Sequence, residues 1–256
     1  GCHWPSAEHH DSIATKVRYG TDPESSEAKT TLVLHTGVGA VRESSAKGVH
    51  WHVMNEVEFV SLDPQRREIP WVQVKRPDGT KVTYIDAESK ATAAQMSGAE
   101  KRTMACYDCH NSAGHSFENP EFLVDELIRT GKIDRGLTAT KSRAIALITA
   151  SEKVNGKPEE RAAAIDKLLA ESAAKAATPP EMKPKEDLFN KAMKELLVGV
   201  SFQEKGFSWK SFPDHLGHTD TPGCFRCHDG KHYNEKGESI RLQCTLCHNL
   251  PQVVRE

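Results

Sequence analysis

The spacing of apolar residues predicts a few strands early in the chain and helices in its middle. Between residues 56 and 86, β-branched residues alternate with polar ones, and the tetrapeptide PDGT is typical of a turn. This stretch therefore predicts a small β-hairpin or meander. The short run TLVLHT predicts one further strand, and from residue 119 to 212 the period changes to that of amphipathic helices.

Helix signals recur throughout residues 119–212. The segment NPEFLVDELIRTG predicts a helix with Asn119 as its N-cap, Pro120 at the first helical position and Gly131 as its stop. ATKSRAIALITASEKV and PEERAAAIDKLLAESAAKAA predict two more helices, and TPPEMKPK predicts a linker. EDLFNKAMKELLVGVSF carries an apolar stripe at helical spacing, and we expect Met193, within that stripe, to lie in the core.

The composition leaves little material for an ordinary core. Of the 256 residues, 37% are hydrophobic, 6% aromatic and 27% charged, which is lean for a domain of this size. The net charge of −2 gives no reason to expect a nucleic-acid partner. No stretch approaches the roughly 20 apolar residues that cross a bilayer, and no signal peptide is visible.

The spacing of the cysteines indicates the chemistry of the protein. Six of the seven form three C-x-x-C-H motifs. The motifs are Cys106, Cys109 and His110; Cys224, Cys227 and His228; and Cys244, Cys247 and His248. This spacing is the attachment signature of c-type haem, in which two thiols bond to the haem and the next histidine is the proximal ligand of the iron.

Paired cysteines also occur in two other kinds of site. The pairs at 224–227 and 244–247 fit the spacing of a four-cysteine zinc ribbon, and any single pair fits a redox-active dithiol. Neither site requires a histidine after the second cysteine. Because a histidine follows in all three motifs, the sequence favours covalent haem c over both alternatives.

The seventh cysteine fits the same pattern. Cys2 and His3 match the last two residues of a C-x-x-C-H motif whose first cysteine would lie before residue 1. We therefore expect three complete haem sites and a fourth at Cys2 and His3, with His3, His110, His228 and His248 as the proximal ligands.

The remaining histidines are the natural second ligands, since electron-transfer haems are closed on both sides by His or Met. The favoured distal candidates are His52, His115, His218 and His232. The weaker candidates are His9, His35, His50 and His215, with His10 in a polar run beside His9. An extended GVHWH segment would place His50 and His52 on one face. Met104 is the strongest competing methionine, and we expect mostly bis-histidine haems.

These elements predict a fold class that is mainly α with long loops and a small β-hairpin or meander, a multihaem cytochrome c whose core is built around packed covalent haems. Residues 1–118 form an N-terminal haem region with sites at 2–3 and 106–110. Residues 119–212 form a helical insert that we expect to pack on the haem sites, the alternative being a partner-docking surface. Residues 213–256 form a C-terminal double-haem module.

Several segments resemble the C-terminal part of NapC/NirT-type multihaem cytochromes c. They are GCHWP, LHTGVG, GVHWHV, DPQRREIPWVQV, TMACYDCHN and FPDHLGHTDTPGCFRCHDGKH with CTLCHNL. The resemblance spans nearly the whole chain, although the helical insert matches only in character. It implies a periplasmic domain tethered to the inner membrane through an anchor and further haem sites upstream of residue 1. It supports Cys2 and His3 as a haem site but not quinol oxidation by these residues.

The predicted function is electron transfer rather than catalysis. We expect the chain to relay electrons from a membrane quinol-linked donor to a downstream cytochrome or terminal reductase, with other redox proteins as partners. One alternative is a multihaem oxidoreductase of the nitrite or hydroxylamine type, which needs one haem with an open distal position. Another is a subunit of an extracellular cytochrome filament.

Overall fold

The computed structural model describes residues 11–37, 48–110, 117–219 and 221–255. The chain divides into two compact units. The motif unit comprises the described residues of 11–14, 32–110 and 212–251, and the helical unit comprises 15–31, 117–211 and 252–255. Every described cysteine and histidine belongs to the motif unit.

The described residues form eight strands and seven α-helices, numbered in chain order. The strands are β1 Ser12–Tyr19, β2 Glu27–Leu34, β3 Val57–Val60, β4 Trp71–Lys75, β5 Lys81–Asp86, β6 Arg102–Thr103, β7 His232–Tyr233 and β8 Gln252–Arg255. The helices are α1 Trp51–Met54, α2 Ala93–Gly98, α3 Cys106–Cys109, α4 Pro120–Arg129, α5 Thr140–Ser151, α6 Pro158–Ala176 and α7 Lys183–Val200.

A five-stranded antiparallel sheet in the order β6-β3-β4-β5-β7 organises the motif unit. Its centre is the predicted meander: β3 pairs with β4, and β4 with β5. The predicted turn joins β4 to β5, with Gly79 at a φ of +82° and the Arg76 N–H donating to the Thr80 carbonyl. At the edges, β6 leads into the first cysteine motif and β7 follows the second, so the sheet fixes where both begin or end.

Four helices, α4 to α7, build the helical unit. Helix α4 begins as predicted, because Asn119 Oδ1 accepts a hydrogen bond from the Glu121 N–H and Pro120 occupies the first turn. It stops before Gly131, which has a φ of +73°. The linker predicted over TPPEMKPK is shorter than expected, since Pro180–Met182 form a 3-10 turn and α7 begins at Lys183.

The two units have cores of different size. The helical unit buries fourteen hydrophobic residues in one cluster, including Met193, which is fully buried as predicted. Among its described residues, the buried cluster of the motif unit contains Val57, Phe59, Ile69 and Val72, with Met104 and Cys227 packed against it. The described part of the motif unit therefore buries fewer hydrophobic side chains than the helical unit does.

A second sheet, in the order β1-β2-β8, lies outside the predicted meander. Strand β2 contains the start of the predicted TLVLHT strand, and it pairs with β8 from Ala28–Arg255 to Thr31–Gln252. Within the described ranges, no helix has the length and apolar character needed to cross a bilayer.

Candidate functional site

The three complete motifs share one backbone arrangement. In each, the N–H of the motif histidine donates to the carbonyl of the first cysteine, at 2.8 Å for His110, 3.0 Å for His228 and 3.3 Å for His248. The first motif forms α3, and the other two form 3-10 turns at Gly223–Arg226 and Cys244–Leu246. A single helical turn brings residues three and four apart onto one side, so each motif presents two thiols and an imidazole together.

The thiols of neighbouring motifs lie close to one another. Cys224 and Cys247 hydrogen-bond through their side chains, which lowers the pKa of Cys224 to about 6 and raises the pKa of Cys247. Burial raises the pKa of the Cys227 thiol to about 12, and that of the Cys109 thiol above its usual range. Arg226 of the second motif also donates to the Asp108 carbonyl of the first at 3.0 Å, so the second motif adjoins both of the others.

Backbone carbonyls set the tautomers of two proximal candidates. His228 Nδ1 lies 2.9 Å from the Arg241 carbonyl oxygen, and His248 Nδ1 contacts the Asn249 carbonyl oxygen. A carbonyl can only accept, so Nδ1 carries the proton in both rings. Each ring then keeps the lone pair of Nε2, which is the arrangement of metal-bound histidines whose other nitrogen donates to a carbonyl.

His52 has the same tautomer and lies beside His228. Its Nδ1 is 2.9 Å from the Val49 carbonyl oxygen, and the two ring centres are 5.7 Å apart with the planes at 87°. Burial lowers the pKa of His52, which keeps the ring neutral. The GVHWH segment is not extended, because Trp51 begins the short helix α1 and His50 precedes it, so the arrangement that would place His50 and His52 on one face of a strand does not arise.

His218 lies beside the third motif. Its ring is exposed, stacks on Phe225 at 4.8 Å and lies 6.3 Å from the ring of His248, with an angle of 30° between the last two planes. Two of the four favoured distal candidates, His52 and His218, are therefore each next to a proximal candidate.

His232 is held differently. Its ring is buried, Nδ1 lies 3.0 Å from Asp229 Oδ1, and Nε2 lies 2.7 Å from the Ile69 carbonyl oxygen. Both nitrogens are committed to protein oxygens in this conformation, so the geometry gives His232 no nitrogen for a metal. Its hydrogen bond to Ile69 instead links β7 to the residues just before β4.

The weaker candidates are distributed around the motifs. His35 Nδ1 lies 2.9 Å from Asp11 Oδ2, and the backbone N–H of His35 donates to the Cys247 carbonyl. His50 Nδ1 lies 2.6 Å from the Thr36 carbonyl oxygen. His215 is buried, with Nε2 donating to the Gln65 carbonyl and no partner at Nδ1, and burial lowers its pKa to about 4. A neutral His215 thus has a bare nitrogen. Cys2, His3, His9, His10 and His115 lie outside the described residues.

Sequence reasoning missed a buried charge network between the first two motifs. Asp108 accepts from Arg66 Nη1 at 2.7 Å and from the Ala105 N–H at 2.8 Å. Arg226 donates to the carbonyls of Arg66 and Asp108. The only signal in the sequence was the charged residue inside each motif, Asp108 in CYDCH and Arg226 in CFRCH.

The zinc alternative requires four thiols around one point. In the described portion of the chain, no three His, Cys, Asp or Glu side chains gather as a metal site would need. The six described cysteines are free thiols, five of them partly buried and Cys244 exposed.

Comparison with known proteins finds one cytochrome among the curated sequences. The chain is 36% identical to the cytochrome c-type protein ImcH of Geobacter sulfurreducens over 252 residues, and the aligned region covers 97% of this chain. The chain spans about half the length of that relative, 49%. No family model and no solved structure matches. The three motifs thus stand in a chain that is similar, along almost its whole length, to a cytochrome c-type protein.

Proposed function

We propose that this chain is part of a multihaem c-type cytochrome that transfers electrons. Haem c would be bound covalently at Cys106 and Cys109, at Cys224 and Cys227, and at Cys244 and Cys247, with His110, His228 and His248 as proximal ligands. The observation that carries the proposal is the pairing of imidazoles, His52 with His228 and His218 with His248, beside motifs of the haem-attachment type.

The spacing of those rings fits a metal held between them. Imidazole nitrogens sit about 2 Å from a first-row metal such as zinc, so two rings on opposite sides of one ion have centres roughly 6 Å apart. The observed separations are 5.7 Å and 6.3 Å. Protonation at Nδ1 in His52, His228 and His248 leaves Nε2 for the metal in each ring.

The surface around the motifs also fits an apolar macrocycle. Large hydrophobic side chains are exposed in the motif unit, although its buried core is small. They include Tyr107, Leu216, Phe225, Leu242 and Leu250, with exposed fractions from 38% to 71%. Several of these residues lie within or next to the cysteine motifs, and covalent haem would cover apolar surface that is otherwise costly to leave in water.

Haem, when bound, supplies a one-electron couple. The residues of this chain would anchor it, fix the orientation of its ligands and set its electrostatic surroundings. A hydrogen bond from Arg226 to the Asp108 carbonyl links the second motif to the first, and a side-chain hydrogen bond between Cys224 and Cys247 links it to the third. Such a row of closely spaced sites favours relay of electrons from one to the next.

The wider assignment extends this relay to the whole protein. We propose that the chain belongs to a NapC/NirT-type cytochrome, works in the periplasm, and is tethered to the inner membrane by a segment outside this sequence. Its donor would be quinol-linked, and its acceptor another cytochrome or a terminal reductase. Cys2 and His3 would complete a fourth site. The resemblance of the motif segments and the similarity to a cytochrome c-type protein support this assignment.

Ligand binding separates the relay from an oxidoreductase. The relay predicts that dithionite reduces every haem, that a second haem protein reoxidises them, and that neither nitrite nor carbon monoxide changes the spectra. Nitrite and carbon monoxide need an open ligand position on the iron, and an iron held by two histidines has none. A high-spin band that shifts with nitrite or carbon monoxide would instead indicate a catalytic haem with an open position and would overturn the proposal.

A further inference from the structure

Arg226 is a buried cation that lies between the first two motifs. Its side chain is 8% exposed, although it comes from inside the second motif. The guanidinium donates from Nε to the Gly223 carbonyl at 2.9 Å, from Nη1 to the Arg66 carbonyl at 2.9 Å and from Nη2 to the Asp108 carbonyl at 3.0 Å. The last bond joins the second motif to the first.

The charge of Arg226 has no direct counter-ion. Three of its hydrogen bonds end on neutral carbonyls, and its side chain also interacts with the Cys109 thiol. No carboxylate in the described ranges lies within ion-pair distance of its guanidinium. The nearby carboxylate of Asp108 is instead engaged by Arg66 at 2.7 Å. Carbonyl dipoles solvate a cation without neutralising it, so a net positive charge remains in a site that water screens poorly.

The contacts of Arg226 lie in the first two motifs. Its Nη2 donates to the carbonyl of Asp108, the residue before Cys109, and its Nε donates to the carbonyl of Gly223, the residue before Cys224. Arg226 itself directly precedes Cys227 in the sequence. Among the described residues, none of its three hydrogen bonds ends in the third motif. The charge is therefore placed beside the first two sites.

We infer that Arg226 is a shared tuning residue, whose buried charge raises the reduction potentials of the haem sites at Cys106–His110 and Cys224–His228 together. The inference rests on the proposed function. Reduction of an iron from Fe(III) to Fe(II) adds one electron and removes one positive charge from the site. A fixed cation nearby favours the reduced form, and burial prevents salt from screening the effect. One residue would thus raise the potentials of two adjacent sites together.

The test is an optical redox titration of the haem-loaded protein and its variants. Arg226→Gln should lower two of the titrating components by about a tenfold change in the reduction equilibrium, or about 59 mV for one electron. The component from Cys244–His248 should stay in place. Arg226→Lys keeps the charge but not all three hydrogen bonds, so its potentials should stay close to those of the wild-type protein. The shift should persist at high ionic strength.

A second variant, which should shift the same potentials in the opposite direction, distinguishes an electrostatic effect from a structural one. Asp108→Asn removes the local negative charge and should raise the same two components. Should Arg226→Gln fail to load haem, Arg226→Met, which removes the charge but keeps a long side chain, takes its place in the titration. Unchanged potentials in the Arg226 variant that loads haem, or a shift of the same sign as that of Asp108→Asn, would overturn the inference and leave haem binding intact. Wild-type protein without haem would overturn the proposed function as well, so the two failures are distinguishable.

Discussion

The imidazoles of His52 and His228 lie 5.7 Å apart at an angle of 87°, although they come from distant parts of the sequence. Each ring donates from Nδ1 to a backbone carbonyl, that of Val49 for His52 and that of Arg241 for His228. These carbonyls fix both tautomers before any metal binds, which lowers the cost of orienting the ligands. The relationship makes His52 the distal candidate with the most specific structural support.

Replacement of His52 should open the site at Cys224–His228. We expect His52→Ala to convert one haem from low spin to high spin and to create carbon monoxide binding, as measured by absorption and electron paramagnetic resonance. His232→Gln is the matched control, because both ring nitrogens of His232 are bonded to protein oxygens. It should lower stability by about 1–3 kcal/mol and leave every haem low-spin. A low-spin spectrum in His52→Ala would remove His52 as a ligand.

Gly223 should be essential for the second motif. Its φ is +54°, and a Cβ there would lie 1.5 Å from the Gly217 carbonyl oxygen. A side chain at Gly223 would therefore force the backbone of Gly217 and Gly223 apart, directly before Cys224. We expect Gly223→Ala to cost one haem per chain, as counted by the pyridine haemochrome method. Gly217→Ala is the control, because no atom lies within 4 Å of a Cβ at that position. Equal haem content in the two variants would contradict this account.

The helical unit should depend on the carboxylate of Asp125. Asp125 accepts from Lys141 Nζ at 2.6 Å with both side chains buried, and Arg18 lies at 3.6 Å on its other oxygen. Asp125→Asn leaves the buried Lys141 ammonium without a counter-ion, and we expect a loss of about 3–5 kcal/mol in the free energy of unfolding. Lys141→Met should cost less, because Arg18 and the Tyr19 N–H still bind Asp125. Urea denaturation followed by circular dichroism measures both, and the reverse order would refute the argument.

Glu186 should make the same unit sensitive to acid. Burial raises its pKa, but the hydrogen bonds and charge of Arg143 and the hydroxyl of Thr178 outweigh burial and lower it below the ordinary 4.5. A lowered folded-state pKa contributes stability that is present above about pH 4.5 and is lost as the pH falls through the folded-state value. Glu186→Gln should therefore be destabilising at neutral pH and should flatten the acid side of the stability profile. An unchanged acid slope would show that other groups carry it.

Much of the local structure was predictable, because its causes are local. Asn119, Pro120 and Gly131 delimit α4 through capping and backbone conformation, and alternation across residues 56–86 produces the meander. The association of residues 15–31 and 252–255 with the helices was not predictable. It depends on pairing between β2 and β8, which lie at opposite ends of the sequence.

The candidate site divides in the same way. The turn that gathers each motif spans five residues, so its spacing alone predicted it. The choice between His52 and His232 depends on which carbonyls the fold brings to each ring, and no spacing encodes that. Arg226 was missed because its importance arises from burial against Asp108 and Cys109, which belong to another motif.

A haem count on motif variants tests the central claim most directly. Pyridine haemochrome analysis should give at least three haems per chain in the wild-type protein. Replacement of both cysteines by alanine at 106 and 109, at 224 and 227, or at 244 and 247 should remove one haem each time. A haem beyond three would be assigned to Cys2 and His3. Absence of a Soret band, together with bound zinc that is lost on replacing Cys224 and Cys227, would contradict the account.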